Sequence, residues 1–254
     1  MTVEIDLSGK SALVTGSGRG IGRETALLLA KAGAALTIAD IDEASAQNVA
    51  SEIRAAGGKA IGVRADITQV EGAQSMSRAA LQEFGRLDIL VNNAARWTTK
   101  LFKDMTPQDY DNDIRVTLYG TLHSSRAVLD AMMAQNYGKI VNLISDAGRI
   151  GEPYLTTYSA AKGGVAAFTK ALAKEVGRYN ITVNGVAPGT TYTPGSADFI
   201  DKAGGPEKLA KAYPLRRLAE PLDIANAILF LSSDMSSFMT GQIFSVSGGY
   251  STVG

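Results

Sequence analysis

The chain contains no cysteine. That removes disulfides, thiol nucleophiles and Cys-ligated zinc at once. It has a single histidine, His123, so a His-rich metal site is excluded, and the ring reads as a packed or surface side chain on a helix. Neither charge is in excess: 25 Lys and Arg face 25 Asp and Glu. With no basic run and no net charge, there is no electrostatic case for nucleic acid or an anionic membrane as partner. No apolar stretch approaches the length of a membrane span. The opening residues lack the basic and apolar regions of a secretory leader. The expectation is a cytoplasmic protein acting on a small molecule.

What is present is a regular alternation. Short apolar runs lie at Ser11–Thr15, Ala35–Ala39, Ala60–Ala65, Ile89–Asn92, Lys139–Ile144, Ile181–Ala187 and Gln242–Val246. Amphipathic segments at Ile21–Lys31, Glu43–Ala56, Gln69–Phe84, Pro107–Ala134 and Tyr154–Tyr179 separate them. Strand–helix alternation of this kind builds βαβ units and a parallel sheet covered on both faces. No linker, repeat or composition break divides the 254 residues, so one α/β domain over 1–254 is predicted.

Chemistry concentrates in Tyr158-Ser159-Ala160-Ala161-Lys162. Residues four apart share a helix face, roughly 5–6 Å apart at Cβ. A phenol holds its proton to about pH 10. A lysine charge beside it favours the phenolate. Bringing the pKa to about 7 takes roughly 4 kcal/mol, more than one exposed charge pair supplies. A partly dry site with a second positive charge, such as an oxidised nicotinamide ring, would supply it.

The first strand runs directly into Thr15-Gly16-Ser17-Gly18-Arg19-Gly20-Ile21-Gly22 and then a helix. Glycines at 16, 20 and 22 permit a tight turn and let backbone N–H groups approach a pyrophosphate at a helix N-terminus. The spacing is G-x-x-x-G-x-G rather than G-x-G-x-x-G. Asp40 ends the second strand. A carboxylate there accepts from ribose hydroxyls and repels a 2′-phosphate, favouring NAD over NADP. Arg19 argues the other way. Asp40 is also a candidate cap for the next helix, a part Asp42 could play instead. Asp66 is a candidate either for the adenine amino group or for the N-cap of the helix near Gln69. Asn92-Asn93-Ala94-Ala95 leaves room for a cofactor and offers amides that tie loops together. Ser145 falls at the carboxyl edge of the fifth strand, where open α/β folds hold their ligands.

In this order and spacing the motifs resemble the short-chain dehydrogenase/reductase family over almost the whole chain. The resemblance rests on Thr15–Gly22, Asp40, Asp66, Asn92–Ala94, Ser145, Tyr158-x-x-x-Lys162 and Asn184–Gly189. It implies a single doubly wound, Rossmann-type domain with a seven-stranded parallel sheet and helices on both faces. By the same resemblance, Tyr158 is the general acid/base, Lys162 lowers its pKa and holds the nicotinamide ribose, and Ser145 binds the reacting oxygen. Thr191 backbone and the Thr193 hydroxyl would fix the carboxamide. The implied NAD-binding set is Gly16, Ser17, Arg19, Gly20, Ile21, Gly22, Asp40, Ile41, Asp66, Ile67, Asn93, Ala94, Tyr158, Lys162, Pro188, Gly189, Thr191 and Thr193. A homotetramer is implied too, through the apolar faces of Asp113–Met133 and Tyr154–Tyr179.

Two positions depart from the family. Thr117 stands where it usually has an asparagine that supports a water next to the catalytic lysine, so Thr117 is the expected, and altered, relay position. Ala95 replaces a common glycine. On the substrate side, Arg96 and Trp97, the stretch Asp146–Leu155 with Arg149 and Tyr154, and the segment about 190–213 are expected to line the pocket, the last as a lid. Arg96, Arg149 and Lys202 are candidates to meet a carboxylate or a carrier phosphate. Asn142–Gly148 and Ser245–Gly249 are similar to relatives that oxidise alicyclic hydroxyacyl thioesters. Three functions follow: NAD-dependent oxidation of a secondary alcohol, NADPH-dependent 3-oxoacyl-carrier-protein reduction, and silent dinucleotide sensing. The intact Ser145/Tyr158/Lys162 set favours the first two, and Asp40 the first.

Overall fold

The computed structural model describes residues 5–253. Its centre is β1 (Ser11–Thr15), buried along its whole length. Side chains alternate across a strand. Ala12 and Val14 therefore pack on one side with Leu29 of α1 (Gly20–Lys31), Ile53 of α2 (Glu43–Ala55) and Ile228 of α10 (Pro221–Ser232). Leu13 packs on the other, with Met76 of α3 (Val70–Phe84), Met132 of α5 (Gly120–Gln135) and Leu172 of α7 (Thr156–Val176). One strand thus joins two helical layers, which is why its central run Ala12-Leu13-Val14 is apolar instead of alternating.

The other strands are β2 (Ala35–Asp40), β3 (Ala60–Arg64), β4 (Ile89–Asn92), β5 (Gly138–Leu143), β6 (Ile181–Pro188) and β7 (Ile243–Val246). All pair in parallel, in the order β3-β2-β1-β4-β5-β6-β7. The predicted strands lie within a residue of these at either end. The chain winds outward from β1 to β3, then returns to lay β4 on the opposite side of β1. Connections leave β1 and β4 in opposite directions, opening a crevice at their carboxyl ends.

The helix predicted as one piece from Pro107 has three parts. A capping box at Thr106 and Asp109 starts α4 (Pro107–Ile114), a widened π turn occupies Arg115–Tyr119, and α5 continues from Gly120. No proline interrupts it, so nothing in the local sequence announces the bulge. The second long prediction also shortens. Tyr154 has φ +65, so it belongs to the turn before α7, and a single 3₁₀ turn at Gly177–Tyr179 follows the helix. Within 190–213 the chain forms only α8 (Ala197–Lys202) and α9 (Pro206–Ala210), separated by Gly204 and Gly205 at φ +101 and +88. Among the described residues no helix is long and apolar enough to cross a membrane.

Candidate active site

The glycine loop sits at the mouth of the crevice. Gly16 and Gly20 adopt φ +61 and +58. A Cβ on Gly16 would lie 2.8 Å from the Ala94 backbone, and one on Gly22 would lie 2.4 Å from the Gly16 carbonyl. Gly18, which the spacing argument passed over, is equally constrained: its Cβ would meet Ser45 at 2.6 Å and the Asp40 carboxylate at 2.9 Å. The N-cap of α1 is Arg19, exposed and without a side-chain cap bond. The first-turn N–H groups of α1 are thereby left for an anion.

The loop after β4 is laced to this turn. Asn93 Nδ2 donates to the Thr15 and Gly16 carbonyls at 2.9 and 2.8 Å, and Thr15 Oγ1 accepts from the Asn93 and Ala94 N–H groups at 3.1 and 3.2 Å. Ser17 Oγ donates to Val14 O at 2.7 Å, holding the turn onto β1. Asp40 accepts from Gly18 N at 2.8 Å and Asp42 N at 3.1 Å. The cap of α2 is Asp42, which accepts from Ala44 N, so Asp40 is not that cap. Ile41 beside it is exposed. Asp66 is not the side-chain cap of α3 either. It is exposed and binds Thr68 N and Oγ1 at 3.0 and 2.7 Å, while Gln69 takes the N-cap position. Ile67 is buried against Gly120, and its carbonyl oxygen meets His123 Nδ1 at 3.0 Å.

The predicted catalytic residues meet at the carboxyl end of β5. Asn92 Nδ2 donates to Asn142 Oδ1 at 2.8 Å, and Asn142 Nδ2 to Thr169 Oγ1 at 2.9 Å, locking β4, β5 and α7 in register. Lys162, one turn along α7 from Tyr158, is the largest fully buried side chain. It donates to the Leu143 carbonyl, and its Nζ lies 5.7 Å from the Tyr158 ring centroid. This contact needs a glycine at 148, because a Cβ there would lie 2.6 Å from Lys162 Cβ. Ser145 stands in the loop between β5 and α6 (Ala147–Ile150), its Oγ accepting from Ala147 N at 3.2 Å.

Burial dominates the electrostatics of the pair: it pushes Lys162 down to about 7 and Tyr158 up to about 12. The Ser145 hydrogen bond pulls Tyr158 back partway, and the Asp113 charge pushes it further up. A lysine that is half neutral near pH 7 offers little field to its neighbour. The protein alone therefore leaves Tyr158 protonated.

Around the pair lies an aromatic and polar wall. Trp97 meets Tyr158 edge-on, centroids 6.0 Å apart. Thr117, in the π turn, binds the Arg96 backbone in both directions: it donates to Arg96 O at 3.0 Å and accepts from Arg96 N at 3.1 Å. Its bonds hold the substrate-side loop and include none to Lys162. Arg96 and Lys202 are exposed. Arg149 is not free: its guanidinium pairs with buried Asp146 at 3.4 Å and donates to the Val253 carbonyl. Burial raises the Asp146 pKa, partly offset by Ser247, Ser245 and Arg149. On the far side of the crevice, Pro188 O accepts from Asp146 N at 3.2 Å. Gly189 lies tight against Tyr213 and Ser247. Thr191 Oγ1 donates to Gly189 O at 3.1 Å, and Thr193 Oγ1 pairs with Ser196 at 3.0 Å. A Cβ on Gly20 would sit 3.5 Å from Thr193, which brings that threonine over the glycine loop. Among the described residues no cluster of three or more His, Asp or Glu has metal-binding geometry.

The chain is similar to known proteins over nearly its whole length. A family model described as enoyl-(acyl carrier protein) reductase matches residues 16–251. The chain is 41% identical to a (2S)-((R)-hydroxy(phenyl)methyl)succinyl-CoA dehydrogenase subunit of Thauera aromatica, covering 96% of this chain and 98% of that one. It is 37% identical to a 3-oxoacyl-(acyl-carrier-protein) reductase of Thermotoga maritima, over 96% of this chain and 98% of the other. A crystal structure of a short-chain type dehydrogenase/reductase from Mycobacterium marinum superposes with TM-score 0.92 at 33% identity, covering 98% of each chain.

Proposed function

The chain belongs to the short-chain dehydrogenase/reductase family, a family of nicotinamide-dependent oxidoreductases, and we propose that it uses NAD(H) to interconvert a secondary alcohol and a ketone on a hydroxyacyl thioester. The observation that carries this reading is the convergence of Ser145, Tyr158 and Lys162 beside the β1/β4 crevice. The residues present fit a dinucleotide. Glycine at 16, 18 and 22 lets the turn close tightly on Ala94, Asp40 and its own carbonyl, and the first turn of α1, without a side-chain cap, would offer its N–H groups to a pyrophosphate. Asp40, anchored by Gly18 and Asp42, would accept from the adenosine ribose and disfavour a 2′-phosphate. Ile41, Asp66 and Ile67 would flank the adenine, and Thr191 and Thr193 the carboxamide. A bound nicotinamide dinucleotide would supply or accept the hydride.

The chain's own groups do the rest. Ser145 donates to the reacting oxygen and stabilises charge there. Tyr158 takes the alcohol proton in oxidation and returns it in reduction. Lys162, which the ribose hydroxyls of a bound dinucleotide would hold in its charged form, would lower the Tyr158 pKa from about 12. Trp97 packs on the phenol and narrows the pocket. Residues 190–213 close over the substrate as a lid, hinged at Gly204 and Gly205. A homotetramer is the expected assembly; the exposed Phe238 and Met235 near the open edge of β7 support a further self-contact.

A thioester substrate is supported by the Thauera aromatica relative, a succinyl-CoA dehydrogenase subunit. The second reading, an NADPH-dependent 3-oxoacyl-carrier-protein reductase, is supported by the name of the Thermotoga maritima one. Turnover of hydroxyacyl-CoA and 3-oxoacyl thioesters with NAD(H) and NADP(H) separates them. The first reading expects NAD(H) to be preferred and Asp40→Ala to relax that preference. NADPH preference in the unaltered protein would establish the second.

A further inference from the structure

Asp113 is a fully buried carboxylate on α4, on the side that packs against α7. Its oxygens accept from Thr98 N at 3.1 Å, Thr98 Oγ1 at 3.0 Å and Thr157 Oγ1 at 2.6 Å. Each partner is a neighbour of the reacting centre: Thr98 follows Trp97, and Thr157 precedes Tyr158. All three are donors, so the group sits there as an acceptor, as a carboxylate does. A buried charge with hydroxyl and amide partners but no cation is costly, and an apolar side chain would fill the place more cheaply. Lys100, two residues beyond Thr98, offers no compensation, because it is taken by Asp109 at 2.8 Å.

We infer that Asp113 is a positioning residue for the reaction at Tyr158: by clasping Thr98 and Thr157 it fixes Trp97 against the phenol and stands a carboxylate in the wall beside it. The inference rests on the proposed role of Tyr158 as acid/base. Of the groups packed about the phenol, Ser145 comes from the loop after β5, Lys162 from α7 itself and Asp113 from α4. Ser145 favours ionisation and Asp113 opposes it. Lys162 lies under the ring and is held toward neutrality by burial.

Trp97 is the sole tryptophan, so its fluorescence reports this site alone. In the unliganded protein, Asp113→Ala and Thr157→Val are expected to red-shift its emission, whereas Asp113→Asn, which keeps the shape and can still bridge both threonines, leaves it in place. In the NAD-saturated protein, quenching of Trp97 by ionised Tyr158 gives a titration that Tyr158→Phe abolishes. Asp113→Asn should move that midpoint, and the rising limb of kcat/KM for alcohol oxidation, down by about one pH unit, as expected for removal of a like charge nearby. A purely structural carboxylate would leave both midpoints where they are. An Asp113→Asn variant with native emission and unshifted midpoints overturns the inference. Should that variant not fold, Thr157→Val decides: a kcat lowered about tenfold with KM nearly unchanged supports it, and unchanged kcat and emission overturn it. The unliganded emission arm needs no turnover, so a failure of the proposed reaction is read separately, in the unaltered protein.

Discussion

Tyr158 and Lys162 titrate in opposite senses for one reason, the lack of water around them. The consequence for Lys162 is measurable. Its pKa falls from 10.5 to about 7 on folding, so between those values the unfolded chain holds a proton that the folded one does not. Stability therefore rises with pH across that window, while the full penalty is present below it. Chemical denaturation of the unliganded protein from pH 7 to 10 should show this rise, and Lys162→Met should flatten it; an equal slope in both proteins would mean that the lysine stays charged. The pair itself was legible in the sequence because i, i+4 spacing is a property of the helix alone. Its burial was not, because that depends on Gly148, fourteen positions earlier, letting the loop press against α7. Asp113 was equally hidden: a carboxylate in an amphipathic helix reads as a solvated residue until Thr98 and Thr157 are seen to meet it.

Among the elements, strands were legible almost to the residue, because β1, β5 and β6 are buried along nearly their whole length and their sequences are largely apolar. The glycine turn was legible in function but not in full, since Gly18 is demanded by Ser45 and Asp40, which arrive from α2 and β2. The π turn at Arg115–Tyr119 had no local signal; its Thr117 is explained by the Arg96 backbone, distant in sequence. The turn gives a sharp prediction. Gly22→Ala puts a methyl within 2.4 Å of the Gly16 carbonyl. Overpacking of that kind costs about 2 kcal/mol and should also displace the N–H groups of the turn. Calorimetry should show a lowered Tm together with NAD affinity weakened at least about tenfold. A variant that binds NAD normally would mean that the loop is not the pyrophosphate cradle.

For the molecule as a whole, the switch between β1 and β4 follows from strand order alone, and the glycine loop and the loop after β4 meet at the crevice it opens. The sheet ends at β7, whose surroundings leave Phe238 and Met235 in solvent. Light scattering on the purified protein should give the mass of four chains, and a monomer at working concentration would remove the tetramer from the account. The central claim is that Tyr158 exchanges the proton while a bound nicotinamide exchanges the hydride. The most direct test is Tyr158→Phe, with NAD binding and alcohol oxidation measured on the same preparation. The account predicts unchanged NAD affinity and a kcat lowered by roughly a hundredfold or more. A variant that binds NAD and retains most of its turnover would contradict it.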